Sequence, residues 1–160
     1  CLMHSQGTPQ TMQKNPVYTD VTTEVIAFFH HRIKACLAAG LNETQIILDP
    51  GFGFGKTLSH NVTLLNSVNQ LADLGYPLLV GLSKKSMLGE LLDKPISNRL
   101  AGSLALGVYA LMQGATLLRV HDVDATCDAI KVITAIQKCD RKTLCQKNEN
   151  ILVQTEFAEK

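Results

Sequence analysis

The chain has almost no excess of charge of either sign. Fifteen lysines and arginines face fourteen aspartates and glutamates, for a net charge of +1, so the electrostatic footprint of a nucleic-acid or membrane-surface binder is missing. No apolar run approaches the length of a membrane span, and the first residues lack the basic and apolar regions of a signal peptide. The five cysteines form no C-x-x-C pair. Cys36, Cys127 and Cys139 fall in predicted helices, so reduced thiols acting as small buried hydrophobes are expected rather than a disulfide frame. No internal repeat stands out. These absences leave a soluble, cytoplasmic globular protein with no nucleic-acid and no membrane partner. The hydrophobic fraction of 46% and charged fraction of 18% agree.

What is present is an alternation of short apolar runs with helical periodicities. Residues 1–3 read as the end of a strand, and 4–16 as a polar loop of functional size. A helix is expected over 20–39, with Val21, Val25, Phe28, Phe29, Ile33, Cys36 and Leu37 at helical spacing. Thr19 or Asp20 can cap it and Gly40 stops it. Strands at 46–48, 77–82 and 116–121 alternate with helices at 61–74, 97–113 and 125–137. In the last helix Ala129, Ile130, Val132, Ile133 and Ile136 are expected to face inward. The helix at 97–113 is rich in small residues, which suits close packing against another helix or a subunit. From residue 139 the tail is polar and unpatterned, so loose attachment is expected. Strict alternation with continuously apolar strands argues an α/β fold, a parallel sheet with helices outside.

The most informative stretch is Ile46-Ile47-Leu48-Asp49-Pro50-Gly51-Phe52-Gly53-Phe54-Gly55-Lys56. A buried strand ends on a carboxylate, and glycines at alternate positions allow positive φ or close approach to a ligand. Phe52 and Phe54 have little reason to sit in a loop unless something flat packs on them. Gly55-Lys56-Thr57 imitates the end of a nucleotide P-loop, but position 50, where that pattern needs its first glycine, is proline. The dinucleotide fingerprint fails too, since the glycines do not fall as G-x-G-x-x-G. A plain strand-to-helix turn remains a competing reading.

Each complete strand carries charge at its C-terminal end: Asp49, then Lys85, then Arg119 with His121. In parallel α/β folds these ends share one edge, where ligands bind. Singly, Lys85 reads as a solvated loop lysine and His121 as a satisfied core histidine; the convergence of all four argues for a site. Asp49 offers an acceptor pair to a planar group with two parallel N–H donors. Lys85, Arg119 and His121 offer positive charge to a phosphate-like group, and Phe54 a face to an aromatic ring. An amino-heterocycle carrying a diphosphate meets these demands.

Leu2-Met3-His4 with Gln6-Gly7, the 49–56 loop, Gly81-Leu82-Ser83-Lys84-Lys85-Ser86, Gly102-Ser103-Leu104-Ala105 and Arg119-Val120-His121-Asp122-Val123 resemble dihydropteroate synthase in order and spacing. The resemblance covers nearly all of the chain except the last twenty or so residues. It implies a (β/α)₈ TIM barrel and condensation of 6-hydroxymethyl-7,8-dihydropterin diphosphate with p-aminobenzoate. It also implies roles: Asp49, Lys85, Gly81 and Met3 at the pterin, Arg119 and His121 at the diphosphate, and Phe54, Lys85 and Ser86 at p-aminobenzoate. Lys85, Arg119 and His121 would be catalytic. A homodimer and Mg²⁺ are implied as well, with the metal-linked asparagine expected upstream of Cys1 and no metal ligand in this chain. Lys84 departs from the arginine common in the family, keeping charge but losing the planar fork. A methyltetrahydrofolate-type methyltransferase and a non-catalytic pterin-binding module are the competing readings.

A full barrel takes about 250 residues. The chain is therefore expected to be the C-terminal part, from the end of strand five through helix eight. Residues 1–138 would form the barrel portion and 139–160 the tail. Exposed sheet edges are expected of it in isolation.

Overall fold

The structure, a computed structural model, describes residues 1–8, 10–12 and 14–138; the expected tail lies outside them. In chain order the elements are β1 (Leu2–Met3), α1 (Val21–Ala38), β2 (Leu48–Asp49), α2 (Leu58–Asn66), α3 (Val68–Ala72), β3 (Leu79–Val80), α4 (Ser86–Leu92), α5 (Leu100–Met112), β4 (Leu117–Leu118) and α6 (Val123–Lys138). Single 3₁₀ turns occupy Glu43–Gln45 and Ile96–Asn98.

All the strands run parallel. Leu2 lies opposite Leu48 and Met3 opposite Asp49, while Leu79 lies opposite Leu117 and Val80 opposite Leu118. A parallel bridge between Leu48 and Leu78 joins the pairs into one arc, β1-β2-β3-β4. The ladders are shorter than the apolar runs that announce them. Beyond them the strands keep single cross-strand bonds, such as His4 N–H to the Asp49 carbonyl and Arg119 N–H to that of Val80, both 3.0 Å. The parallel arrangement puts every strand's carboxyl end on one edge, as the alternation predicts.

The core lies between this arc and the helices. Val25 and Phe29, one turn apart on α1, join Leu64, Val68 and Leu71 of α2–α3 against Leu48, Leu78 and Val80, all fully buried or nearly so. Asp20 starts α1 by accepting from Thr23 N–H at 2.6 Å, and Glu24 reaches back to the amides of Thr19 and Asp20. The helix-facing side of the central strands is buried, whereas Ile47, Asp49, Leu79 and Gly81 on the other side are only partly covered, and at the edges Met3 and Leu117 are each 40% exposed.

Several expectations are corrected. The helix expected over 61–74 begins at Leu58, where Thr57 caps it, and divides at Ser67. The Ser67 hydroxyl donates to the Thr63 carbonyl, a side-chain bond that competes with the helical ladder. The segment after Lys85, outside every helix expected from the periodicity, contains helix α4. The small-residue helix begins at Leu100, after the Ile96–Asn98 turn. Its Gly102 lies so close to α4 that an added Cβ would meet Leu88 at 2.7 Å and Leu92 at 2.9 Å. On α6, Val132 and Ile136 are 59% and 63% exposed rather than inward, because α5 covers only the face holding Thr126, Ala129, Ile130 and Ile133. Cys1 and Cys127 are exposed and Cys36 half-buried, all free thiols, so burial is not what places them. No helix among the described residues is long and apolar enough to cross a membrane.

Candidate active site

Two loops at the carboxyl edge of the arc build the site. The first follows β2. Asp49 ends the strand, and one of its carboxylate oxygens accepts from Gly51 N–H at 2.8 Å. Gly51 and Gly55 have φ of 66° and 64°, and a Cβ on either would run into the backbone carbonyl of His4 or Gln6 respectively. These glycines are required because the loop presses on the chain leaving β1. Lys56 turns inward, 3% exposed, donating to the Gly51 carbonyl at 3.0 Å and the Phe54 carbonyl at 3.3 Å, with Nζ 3.0 Å from His4 Nδ1. Asn61 accepts from Gly53 N–H and donates to the Lys56 and Thr57 carbonyls. Tyr18 donates to the Gly55 carbonyl at 2.8 Å.

The two aromatics of this loop separate. Phe52 is fully buried in the core, so it needs no flat ligand, contrary to expectation. Phe54 is half-buried on the open side, with Lys85 Nζ 4.7 Å from its ring centroid.

The second loop follows β3, and the groups that hold it come from far along the chain. Lys84 adopts a left-handed φ of 57°; its N–H donates to the Ser103 hydroxyl at 3.0 Å. Arg99 donates to the carbonyls of Lys84 and Lys85 at 3.1 and 3.2 Å, and to that of Lys94 at 2.9 Å. The Lys84 ammonium pairs with Asp122 at 3.0 Å. Lys85 is thereby directed back across the cleft, where Nζ donates to the Phe52 carbonyl. From β4, Arg119 comes beside Gly81, and His121 hangs on Ser83 through its N–H at 3.2 Å and its Nδ1 at 3.0 Å.

The resulting cleft, of about 370 Å³, is lined by Cys1, Met3, Asp49, Phe54, Leu79, Gly81, Lys85 and Arg119. The structure thus brings together Met3, Asp49, Phe54, Gly81, Lys85 and Arg119, as the sequence predicts. Ser86, exposed on the first turn of α4, and His121, exposed beyond Arg119, do not line it. Larger hollows of about 470 and 600 Å³ lie between α2 and α5 and beside Pro77, away from these strand ends.

The charges in and behind the cleft are strained by burial. Burial pushes the Asp49 carboxyl above its usual range, against the pull of Gly51 N–H and of Lys85, Lys56 and Arg119. Burial holds Lys85 below its usual range, while Asp49 draws it back up. Lys56 is lowered to about 8 by burial, and His4 to about 4 by burial and then by Lys56. His4 is therefore a neutral acceptor for the lysine. Asp49 is a poorly solvated carboxylate facing cations, ready for a ligand that brings its own N–H donors.

Ser83, His4 and Lys56 lie inside the motifs, but the motifs state no role for them, and Arg99 lies outside the motifs altogether. Ser83 carries one signal, a hydroxyl where the apolar run through β3 gives way to Lys84 and Lys85.

Residues 1–121 match the family of pterin binding enzymes. The chain belongs to the pterin binding enzyme family. It is 51% identical over 132 residues to the dihydropteroate synthase of Haemophilus influenzae, covering 82% of this chain and 48% of that one. A solved Yersinia pestis dihydropteroate synthase with a sulfonamide drug superposes with a TM-score of 0.83 at 49% identity, covering 86% of this chain and 50% of that one. The Xanthomonas albilineans enzyme in complex with 7,8-dihydropteroate gives 0.79 at 43% identity, again covering 86% and 50%. The chain spans about half the length of these relatives, and its fold is the matching part of their (β/α)₈ barrel.

Proposed function

We propose that the protein to which this chain contributes is a dihydropteroate synthase. It would join 6-hydroxymethyl-7,8-dihydropterin diphosphate to p-aminobenzoate and release diphosphate. The observation that carries this reading is the convergence of Asp49, Lys85, Arg119 and the Phe54 ring on one cleft. The Xanthomonas albilineans relative, solved with 7,8-dihydropteroate, supports it.

In this reading Asp49 accepts two parallel N–H bonds from the aminopyrimidinone ring, with Met3 and Gly81 against its faces and Lys85 at its edge. The C–O bond to the diphosphate breaks, and its electrons leave with the diphosphate. Arg119, with His121 at the rim, takes up the charge that develops on it. The lone pair of the arylamine then forms the C–N bond and the amine loses a proton. Phe54 and Ser86, with Lys85 between them and the pterin, hold p-aminobenzoate for that attack. No protein nucleophile is needed, only position and charge.

The described residues offer no fit for the implied Mg²⁺. No cluster of three His, Cys, Asp or Glu is found among the described residues, and Asp49, the carboxylate in the cleft, is already surrounded by Lys85, Lys56 and Arg119. No step above is routed through the ion. A homodimer and a cytoplasmic location belong to the same proposal.

The test is a chimera in which residues 1–138 replace the corresponding half of the Haemophilus influenzae enzyme. The chimera should form dihydropteroate, and Lys85→Ala should abolish most of its turnover. An active chimera indifferent to Lys85→Ala would remove that residue from the mechanism. Inhibition by sulfonamides competitive with p-aminobenzoate separates this reading from a pterin methyltransferase or a binding module.

A further inference from the structure

We propose that Ser83 is a positioning residue that fixes His121 in the tautomer protonated at Nε2, so that the ring offers a neutral N–H donor to an anion at the rim of the cleft. This rests on the diphosphate reading above and adds to it a residue that touches no substrate.

Counting protons at the Ser83 oxygen decides the tautomer. The Ser83 oxygen accepts from the backbone N–H of His121 at 3.2 Å, a bond whose direction is fixed because an amide nitrogen can only donate. The same oxygen lies 3.0 Å from His121 Nδ1. If Nδ1 carried the ring proton, both contacts would point into the oxygen. The hydroxyl proton of a side chain only 7% exposed would then have no acceptor among the described residues. If Nδ1 is bare, the hydroxyl donates to it while its oxygen accepts from the amide, and both contacts are satisfied. The ring proton is then on Nε2, which has no partner among the described residues. His121 follows Arg119 by two positions and is exposed at the rim, beyond the arginine that lines the cleft.

Histidine nitrogen NMR on the ¹⁵N-labelled chain reads this directly, with His121 assigned by His121→Gln. The wild-type ring should show Nδ1 unprotonated. Ser83→Ala should lose the single tautomer, and Ser83→Thr, which keeps the hydroxyl, should restore it. Titrated with inorganic diphosphate, Ser83→Ala should bind about threefold to tenfold more weakly than Ser83→Thr. A wild-type ring protonated at Nδ1 overturns the proposal, and this needs no variant to fold. A tautomer unchanged in Ser83→Ala overturns it too. If the tautomer behaves as stated but wild-type His121 ignores diphosphate, the role at the diphosphate falls and the Ser83 assignment stands.

Discussion

The two loops that form the cleft are held in opposite ways. The loop after β2 is held mainly from nearby: Lys56 and Asn61 tie it together from within a few residues, its glycines admit the chain from β1, and Tyr18 adds one bond. The loop after β3 is held from a distance, by Arg99, Ser103, His121 and Asp122, which lie 14 to 38 residues further along. The first loop is an internally bonded unit carrying the carboxylate. The second is a cationic strip whose shape depends on α5 and β4 being in place. Substitutions in the first should therefore cost stability, and those in the second should loosen Lys85 before they unfold anything.

Gly51→Ala should have the largest effect. It meets the His4 carbonyl and a positive φ together, so about 3 kcal/mol or more should be lost in urea unfolding. Gly75→Ala has a φ of 81° but nothing within 4 Å, and should lose only about 1 kcal/mol. Equal losses would show that backbone strain alone matters, not the contact with the chain leaving β1.

The next effect concerns pH. The folded pKa of His4, about 4, lies below the ordinary 6.5, so the unfolded chain binds the extra proton between these values. Stability should therefore fall as pH drops from about 6.5 to 4, by up to about 3 kcal/mol. In His4→Gln that slope should flatten. On the other flank, the charge on Lys56, with a pKa near 8 against 10.5, weighs against folding at neutral pH. That penalty should ease as pH rises from about 8 to 10.5.

Lys56→Met, which takes the side-chain donor from the Phe54 carbonyl and from His4 Nδ1, should cost about 2 kcal/mol. Lys84→Met breaks only a pair with 25% and 31% exposed side chains and should cost about 0.5 kcal/mol or less. Arg99→Ala should fall between them, about 1 to 2 kcal/mol, with amide exchange quickened at Lys84 and Lys85 before global unfolding. Arg99→Lys should not restore the protection, since an ammonium cannot span three carbonyls as the fork does.

The same contrast explains what could be read in advance. Asp49 and the glycines belong to a local motif whose spacing states its geometry, and parallel alternation puts Lys85 and Arg119 on the same edge. Phe52 and Phe54 could not be separated, because periodicity says nothing about a loop, where one ring entered the core and the other the cleft. Helix α4 was hidden by its shortness, and the break at Ser67 by a side-chain bond within an unbroken apolar pattern. Arg99 and Ser83 act across long sequence separations through carbonyls and a ring nitrogen, partners that no motif spells out. Val132 and Ile136 of α6 have inward spacing but no element beside them among the described residues.

The most direct test of the account is the affinity of a pterin for the carboxylate of β2. In the chimera with the Haemophilus influenzae half, 6-hydroxymethylpterin should bind, and Asp49→Asn should weaken it about 30-fold or more, because an amide turns one acceptor into a donor facing a donor. Equal affinity for the two proteins would contradict the assignment of Asp49, and with it the reading of the cleft.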